Sequence, residues 1–405
     1  MHEPARTPRV VIVGAGIGGL VTALLLAHRG LRVQVLEAAA TPGGKMRQLH
    51  PGGQPVDAGP TVLTMRWIFE AIFREAGVEL ADVVGLRPLS VLARHAWGDG
   101  GGADRLDLFA DRARSADAIG RFAGRAEAGR FLAFCDEARR VYRTLEGPYI
   151  RSPKPSVPGM IAALGPRGLA QLTALGPLTS LASLLARRFQ DPRLRQLFGR
   201  YATYCGASPW AAPATLLLVA QVEMDGVWTV TGGMHALAQA VARLAAERGA
   251  EFSYGATATE IVVTRGRASG VRTADGRFHE ADAVVFNGDA DALAQGHLGS
   301  AARQAVPPRR AGDRSLSALT ACVLARTQGF PLTRHNVFFQ NDYAAEFRDV
   351  FEAGRLPRAG TVYVCAQDRG DEAADPGRPE RLLLLVNAPP NGDRVAADPL
   401  EIQTC

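Results

Sequence analysis

The segment from Arg9 to Gly19, RVVIVGAGIGG, leaves the chain little freedom. A β-branched run that reads as a buried parallel strand passes directly into glycines at fixed positions. Gly14, Gly16 and Gly19, with Ala15 and Gly18 between them, spell G-x-G-x-x-G. In that spacing the first glycine allows the tight turn, the second lets backbone approach a pyrophosphate, and the third lets helix pack on strand. Ile17 to Arg29 is expected as the helix, Gly30 as its stop and Leu31 to Leu36 as a second strand, with the helix N-terminus facing an anion. Glu37 then stands where a carboxylate accepts hydrogen bonds from ribose hydroxyls. Ala38 and Ala39 follow it, so nothing is placed to pair with a 2′-phosphate, and NADP is disfavoured. The competing reading is a glycine-rich turn in an α/β protein that binds nothing.

A membrane span is rejected for the same stretch. Val10 to Ala27 is uncharged and approaches the roughly 18 apolar residues of a span, but four glycines interrupt it and Arg32 and Glu37 follow. No signal-peptide pattern precedes it.

FAD and NAD share the fingerprint, and the choice rests on the next loop. Thr41 to Pro60 is rich in glycine and proline, and Gly43, Gly44, Lys45 and Arg47 bring backbone N–H groups and positive charge close to the first turn. Asp57, Gly59, Pro60 and Thr61 make a second close-approach turn, which favours FAD.

The 405 residues suggest two or three lobes. With 47% hydrophobic and 21% charged residues, the chain can bury a sizeable interior. The net charge of +6 is spread over scattered arginines, which argues against nucleic acid and leaves anionic lipid as a partner for a basic surface. Cys135, Cys205, Cys322, Cys365 and Cys405 form no CxxC pair, so neither a metal site nor a disulfide framework is expected, and a reducing cytoplasm fits.

Ala113 to Val230 is helical in pattern, with Phe131 to Leu145 periodic, Leu169 to Phe189 apolar, and Pro153, Pro155 and Pro158 as breaks. Beyond Gly232 and Gly233 a helix is expected over Met234 to Arg248, then strands at Thr257 to Thr264, Ala268 to Thr273 and Ala283 to Phe286. The expected fold is α/β. A discontinuous Rossmann-like FAD-binding domain (1–68 and 231–290) joins a β-sheet substrate domain (69–112 and 291–405) and a helical cap (113–230).

Across nearly its whole length the sequence resembles the phytoene desaturase-type flavoproteins within the broader amine oxidase-like group. The segments that carry the likeness are the N-terminal signature, RYATYCGASPWAAPATLLLVAQVEMDGVW (Arg200 to Trp228), TGGM, VVFNGDA and HNVFFQNDY. The resemblance implies FAD as cofactor and an apolar carotenoid as substrate, in particular a 1-hydroxycarotenoid desaturated at C3–C4. It implies that Glu37 holds the adenosine ribose, that Gly43, Gly44 and Lys45 lie along the cofactor, and that Ala258 meets the adenine through its backbone. It also implies a glycine-rich C-terminal flavin motif. The chain reaches Cys405 without it, so the expectation is a fragment or a shifted frame that binds FAD poorly. A protoporphyrinogen or amine oxidase and a non-catalytic remnant are the alternatives.

For chemistry, the resemblance implies hydride transfer to the flavin and loss of a proton from the neighbouring carbon. Glu223 and Asp225 are the carboxylates to consider as bases, against a solvated helix end. Trp210, Trp228, Tyr201 and Tyr204 could line a tunnel for a polyene or simply pack a core. His235 and His335 read as structural rather than as acids. Leu169 to Phe189, broken at Gly176 and Pro177, reads either as a membrane-dipping helix pair of a peripheral enzyme or as a buried cap helix; on the first reading, charged replacements at Leu181, Leu184 and Leu185 are expected to release it from liposomes.

Overall fold

The structure, a computed structural model, describes residues 6–98, 104–153, 156–173, 175–176, 179–307, 314–370 and 378–392, so Pro155, Pro177 and Cys405 lie outside it. The chain divides into two compact units, Met1–Arg87 with Trp228–Asp313, and Pro88–Val227 with Arg314–Cys405.

In the first unit the RVVIV strand, Arg9–Val13, is central in a four-stranded sheet. Arg32–Glu37 pairs with it on one side and Ala283–Phe286 on the other, and Glu251–Tyr254 closes the row, all parallel. A strand flanked on both edges and covered on both faces must be apolar throughout, and Val11 and Ile12 are fully buried. The helix Ile17–His28 lies beside the helix Met234–Glu247 in one core, and the buried residues of both are small or branched, among them Leu20, Ala23 and Leu24 on the first and Leu237, Ala238 and Val241 on the second. Gly30 ends the first helix, its N–H donating to the Ala27 carbonyl at 2.9 Å. A three-stranded antiparallel sheet, Ala258–Thr264, Arg267–Thr273 and Phe278–Glu280, completes the unit.

The second unit holds a six-stranded sheet in the order Ser317–Ala325, Glu380–Ala388, Val362–Ala366, His335–Phe339, Val91–Trp97 and Asp104–Phe109. Only His335–Phe339 with Val91–Trp97 is parallel. Helices between Arg112 and Met224 share one core with it, so the helical stretch is not a separate body. Phe198 stands 5.0 Å from both Phe134 and Phe189, and Trp97 and Phe339 stack at 5.2 Å from the sheet side.

Of the two readings of Leu169 to Phe189, the leucines after Ser180 follow the buried one and not the membrane-dipping one. Leu181, Leu184 and Leu185 are fully buried in that core, in the helix Leu181–Arg188. Leucines at i, i+3 and i+4 form a stripe that seeks an apolar surface, and a protein interior satisfies it as well as lipid does. The helix Val157–Thr173 differs. It bends at Gly165 and Pro166 and leaves Ile161 50% and Leu169 40% exposed. Among the described residues no helix is long and apolar enough to cross a membrane.

Candidate functional site

The first strand, the glycine turn and the first helix bring Glu37 against the fingerprint. Its carboxylate accepts from the Ala15 N–H at 2.6 Å and the Ala39 N–H at 2.8 Å, which fixes it at the mouth of the turn. A side chain on Gly19 would begin 2.1 Å from the Gly14 carbonyl oxygen, a contact no residue larger than glycine can make. No side chain caps the helix at Gly16 and its first turn carries no acid, so the positive end of the helix is offered to an anion. Asn287, just after the Ala283–Phe286 strand, stands over this turn: its N–H donates to Val13 at 2.8 Å, and its Oδ1 lies 2.6 Å from where a side chain on Gly18 would start. Sequence reading placed Asn287 just after a strand, within the VVFNGDA segment, and gave it no role at the site.

The second glycine pair lies on the first. Gly43 donates to the Ala15 carbonyl at 2.8 Å and bridges to Gly16, with Gly44 alongside. Lys45 and Arg47 are exposed. The DAGPT turn supports that loop from beneath. A side chain on Gly59 would strike the Lys45 carbonyl oxygen at 1.8 Å, and the Ala58 N–H donates to Arg47 at 2.9 Å. Asp57 is buried and accepts from the Met234 N–H at 2.5 Å, capping the second helix, while its other oxygen accepts from Gln48 at 3.1 Å. His235 donates from Nδ1 to the Met46 carbonyl at 2.7 Å, tying the same helix to the loop. Pro60 is exposed and Thr61 half-buried at the end of the turn. After Glu251–Tyr254 the backbone returns past the carboxylate, Gly255 donating to Ala39 and Ala256 to Glu37, which brings Ala258 near it in sequence. These groups fit a dinucleotide: a free helix terminus, two glycine turns in contact and an oriented carboxylate.

The second unit gathers a different set. Tyr201 and Tyr204 donate to the two oxygens of Glu223 at 2.8 and 3.1 Å, and Arg200 donates to the Tyr204 hydroxyl at 3.0 Å. Burial pushes the Glu223 carboxyl above its usual range, against the two phenols and Arg200, which pull it down. Asp225, two residues on, is exposed and accepts from Gln221 at 2.6 Å. His335 is buried, with Nδ1 2.7 Å from the Tyr363 hydroxyl, and burial lowers its pKa to about 3, so its ring is neutral. Trp210 is not with Tyr201 and Tyr204. It leans on Tyr343 and Phe347 and borders a cleft of about 470 Å³ with Trp97, Leu185, Gln196 and Tyr343. Trp228 belongs to the first unit, under the Arg66 guanidinium.

Residues 17–395 match the family described as flavin containing amine oxidoreductase. A hydroxyneurosporene desaturase of Rubrivivax gelatinosus is 60% identical over 405 residues, covering 100% of this chain and 77% of the relative. One from Cereibacter sphaeroides is 45% identical, covering 95% and 76%. Among solved structures, an oxidoreductase from Methanosarcina mazei superposes with a TM-score of 0.59 at 17% identity, covering 95% of this chain and 80% of that one. A mixed α/β fold shared with flavin oxidoreductases, an oriented carboxylate at a glycine turn and identity on this scale lead to one statement: the chain belongs to the flavin containing amine oxidoreductases, among their FAD-dependent desaturases.

Proposed function

We propose that the chain desaturates a 1-hydroxycarotenoid such as hydroxyneurosporene at C3–C4, with FAD in the first unit and the polyene in the second. The observation that carries the cofactor half is the Glu37 carboxylate locked at 2.6 Å onto Ala15 of the glycine turn. The 60% identity to a hydroxyneurosporene desaturase supports the substrate half.

In this reading 1–68 and 231–290 form a Rossmann-like FAD-binding domain. Gly14, Ala15, Gly16, Gly18 and Gly19 receive the diphosphate at the helix terminus, and Glu37 takes the ribose hydroxyls. Gly43, Gly44 and Lys45 run along the cofactor, held in place by Asp57, Gly59, Pro60 and Thr61, and the backbone of Ala258 meets the adenine. Asn287 joins them because it overhangs the same turn. FAD, once bound, accepts the hydride; the protein orients the polyene and excludes water. Asp225 is set aside as a base, being exposed and engaged by Gln221.

A polyene comes from a bilayer, and the reading includes a peripheral attachment on the cytoplasmic side. The helix Val157–Thr173 takes the role first given to the buried leucines, because its Ile161 and Leu169 are half open to solvent. Replacing both with glutamate is expected to reduce co-sedimentation with anionic liposomes several-fold; unchanged sedimentation would remove this helix from the reading.

The test of the activity is direct. Purified FAD-loaded full-length protein, given a 1-hydroxycarotenoid and an electron acceptor, should lengthen the chromophore and shift its absorbance to the red. Retained flavin with no spectral shift would disprove it.

A further inference from the structure

The polar cluster in the second unit is left unexplained by FAD binding or hydride transfer. Arg200 is its hub. One N–H donates to Tyr204 at 3.0 Å, and the guanidinium lies over the rings of Tyr204 and Tyr363 at 5.2 and 5.7 Å. Of its five donors no other is seen engaged among the described residues. Glu223 uses one lone pair on each oxygen for Tyr201 and Tyr204, and each oxygen has another to offer. Tyr204 leaves 50% of its surface open, so the pair can be reached from one side.

Two further groups point to a ligand. His335, 4% exposed, has its Nε2 buried with no hydrogen-bond partner among the described residues, and the Tyr343 hydroxyl is in the same state. Both feel the charge of Arg200. A buried polar atom without a partner is costly, so the His335 Nε2 and the Tyr343 hydroxyl beside this partly open cluster ask for something to bind.

We infer that Arg200, Tyr204 and Glu223 recognise a hydroxyl group carried by the substrate, Arg200 donating to its oxygen and Glu223 accepting a hydrogen bond from its O–H. A hydroxyl is at once donor and acceptor, and a cation beside a carboxylate reads both halves. A hydrocarbon end would leave the pair desolvated with nothing gained, and an ether would satisfy Arg200 alone. The inference rests on the proposed polyene substrate and adds to it the residues that choose the hydroxylated form.

The experiment compares three polyenes on the FAD-loaded full-length protein: one ending in a tertiary hydroxyl, its methyl ether, and the plain hydrocarbon. Turnover is read as kcat and KM separately, and binding as quenching of tryptophan fluorescence. The wild type should favour hydroxyl over hydrocarbon by about 10–100-fold in affinity, with the ether between. Tyr204→Phe and Glu223→Gln should each cut that ratio about tenfold, through KM rather than kcat, and Arg200→Lys should cut it further because an ammonium cannot keep the fork geometry. Tyr204 is half exposed, so its variant keeps the test open if Glu223→Gln does not fold. Equal affinity for hydroxyl and hydrocarbon, or a ratio that survives all three variants, overturns the inference. If nothing is desaturated the proposed activity fails, yet the quenching ratio still decides whether these residues read a hydroxyl.

Discussion

At the scale of single residues, the nucleotide turn is held by contacts that admit little substitution. Glu37→Gln replaces one oxygen with an amide that cannot accept from both Ala15 and Ala39. Losing a hydrogen bond to a charged group costs about 1.5–3 kcal/mol, so FAD affinity should fall about 10–100-fold in a flavin fluorescence titration. Gly19→Ala forces a carbon to within 2.1 Å of the Gly14 oxygen, so helix and strand must separate. Overpacking of this kind costs about 1–3 kcal/mol or more, and the variant should show a lowered Tm even without flavin. Both residues were legible in the sequence because fingerprint and carboxylate lie close together in one local unit. Asp57 was read as part of a turn at the cofactor, whereas its carboxylate caps a helix 177 positions later. His235 reaches 189 positions back to Met46. Partners so remote leave no local signature. Glu223 shows the same limit: its phenols stand 22 and 19 residues earlier, and neither propensity nor spacing announces that they converge on it.

At the scale of elements, the strand, turn and helix of residues 9–37 emerged within a residue of expectation, because period and punctuation agree there. The apolar stretch after Leu169 is also helical on either side of a break, but its environment was not legible. A leucine stripe reports that a helix has an apolar face and says nothing of what covers it. Leu184 is fully buried in the second unit's core, so Leu184→Ala should cost about 2–5 kcal/mol, seen as a lower denaturant midpoint and not as release from lipid. The helix Leu181–Arg188 is further fixed by Ser180, whose hydroxyl accepts from Ser183 at 3.2 Å, and by a paired Arg188–Glu137 contact at 2.7 Å.

For the whole molecule, acidity is the variable to follow. His95 and His335 are both buried, and burial lowers each to about 3 from an ordinary 6.5; Arg200 presses on both, while Asp107 and the Leu106 carbonyl work the other way at His95. The folded chain keeps both rings neutral, and the unfolded chain protonates them below about pH 6.5. Unfolding therefore takes up protons between about pH 6.5 and 3, and stability falls in that window by about 1.4 kcal/mol per pH unit for each histidine. His335→Gln removes one of them. The difference between wild-type and variant unfolding free energies should be constant above pH 6.5 and should change by about that slope below it; parallel curves down to pH 4.5 would show that His335 is not held neutral.

The central strand, Arg9–Val13, has its two neighbours at very different distances along the chain: Arg32–Glu37 follows at once, but Ala283–Phe286 does not exist until the ribosome has passed residue 286. During synthesis an apolar edge made in the first moments waits, unpaired, through residues 38–282, which include Pro88–Val227 of the second unit, and an edge of that kind invites wrong partners. Nascent chains arrested before Ala283 should thus keep their first forty residues sensitive to protease and bound by chaperones, and protection should appear abruptly once Phe286 has left the exit tunnel.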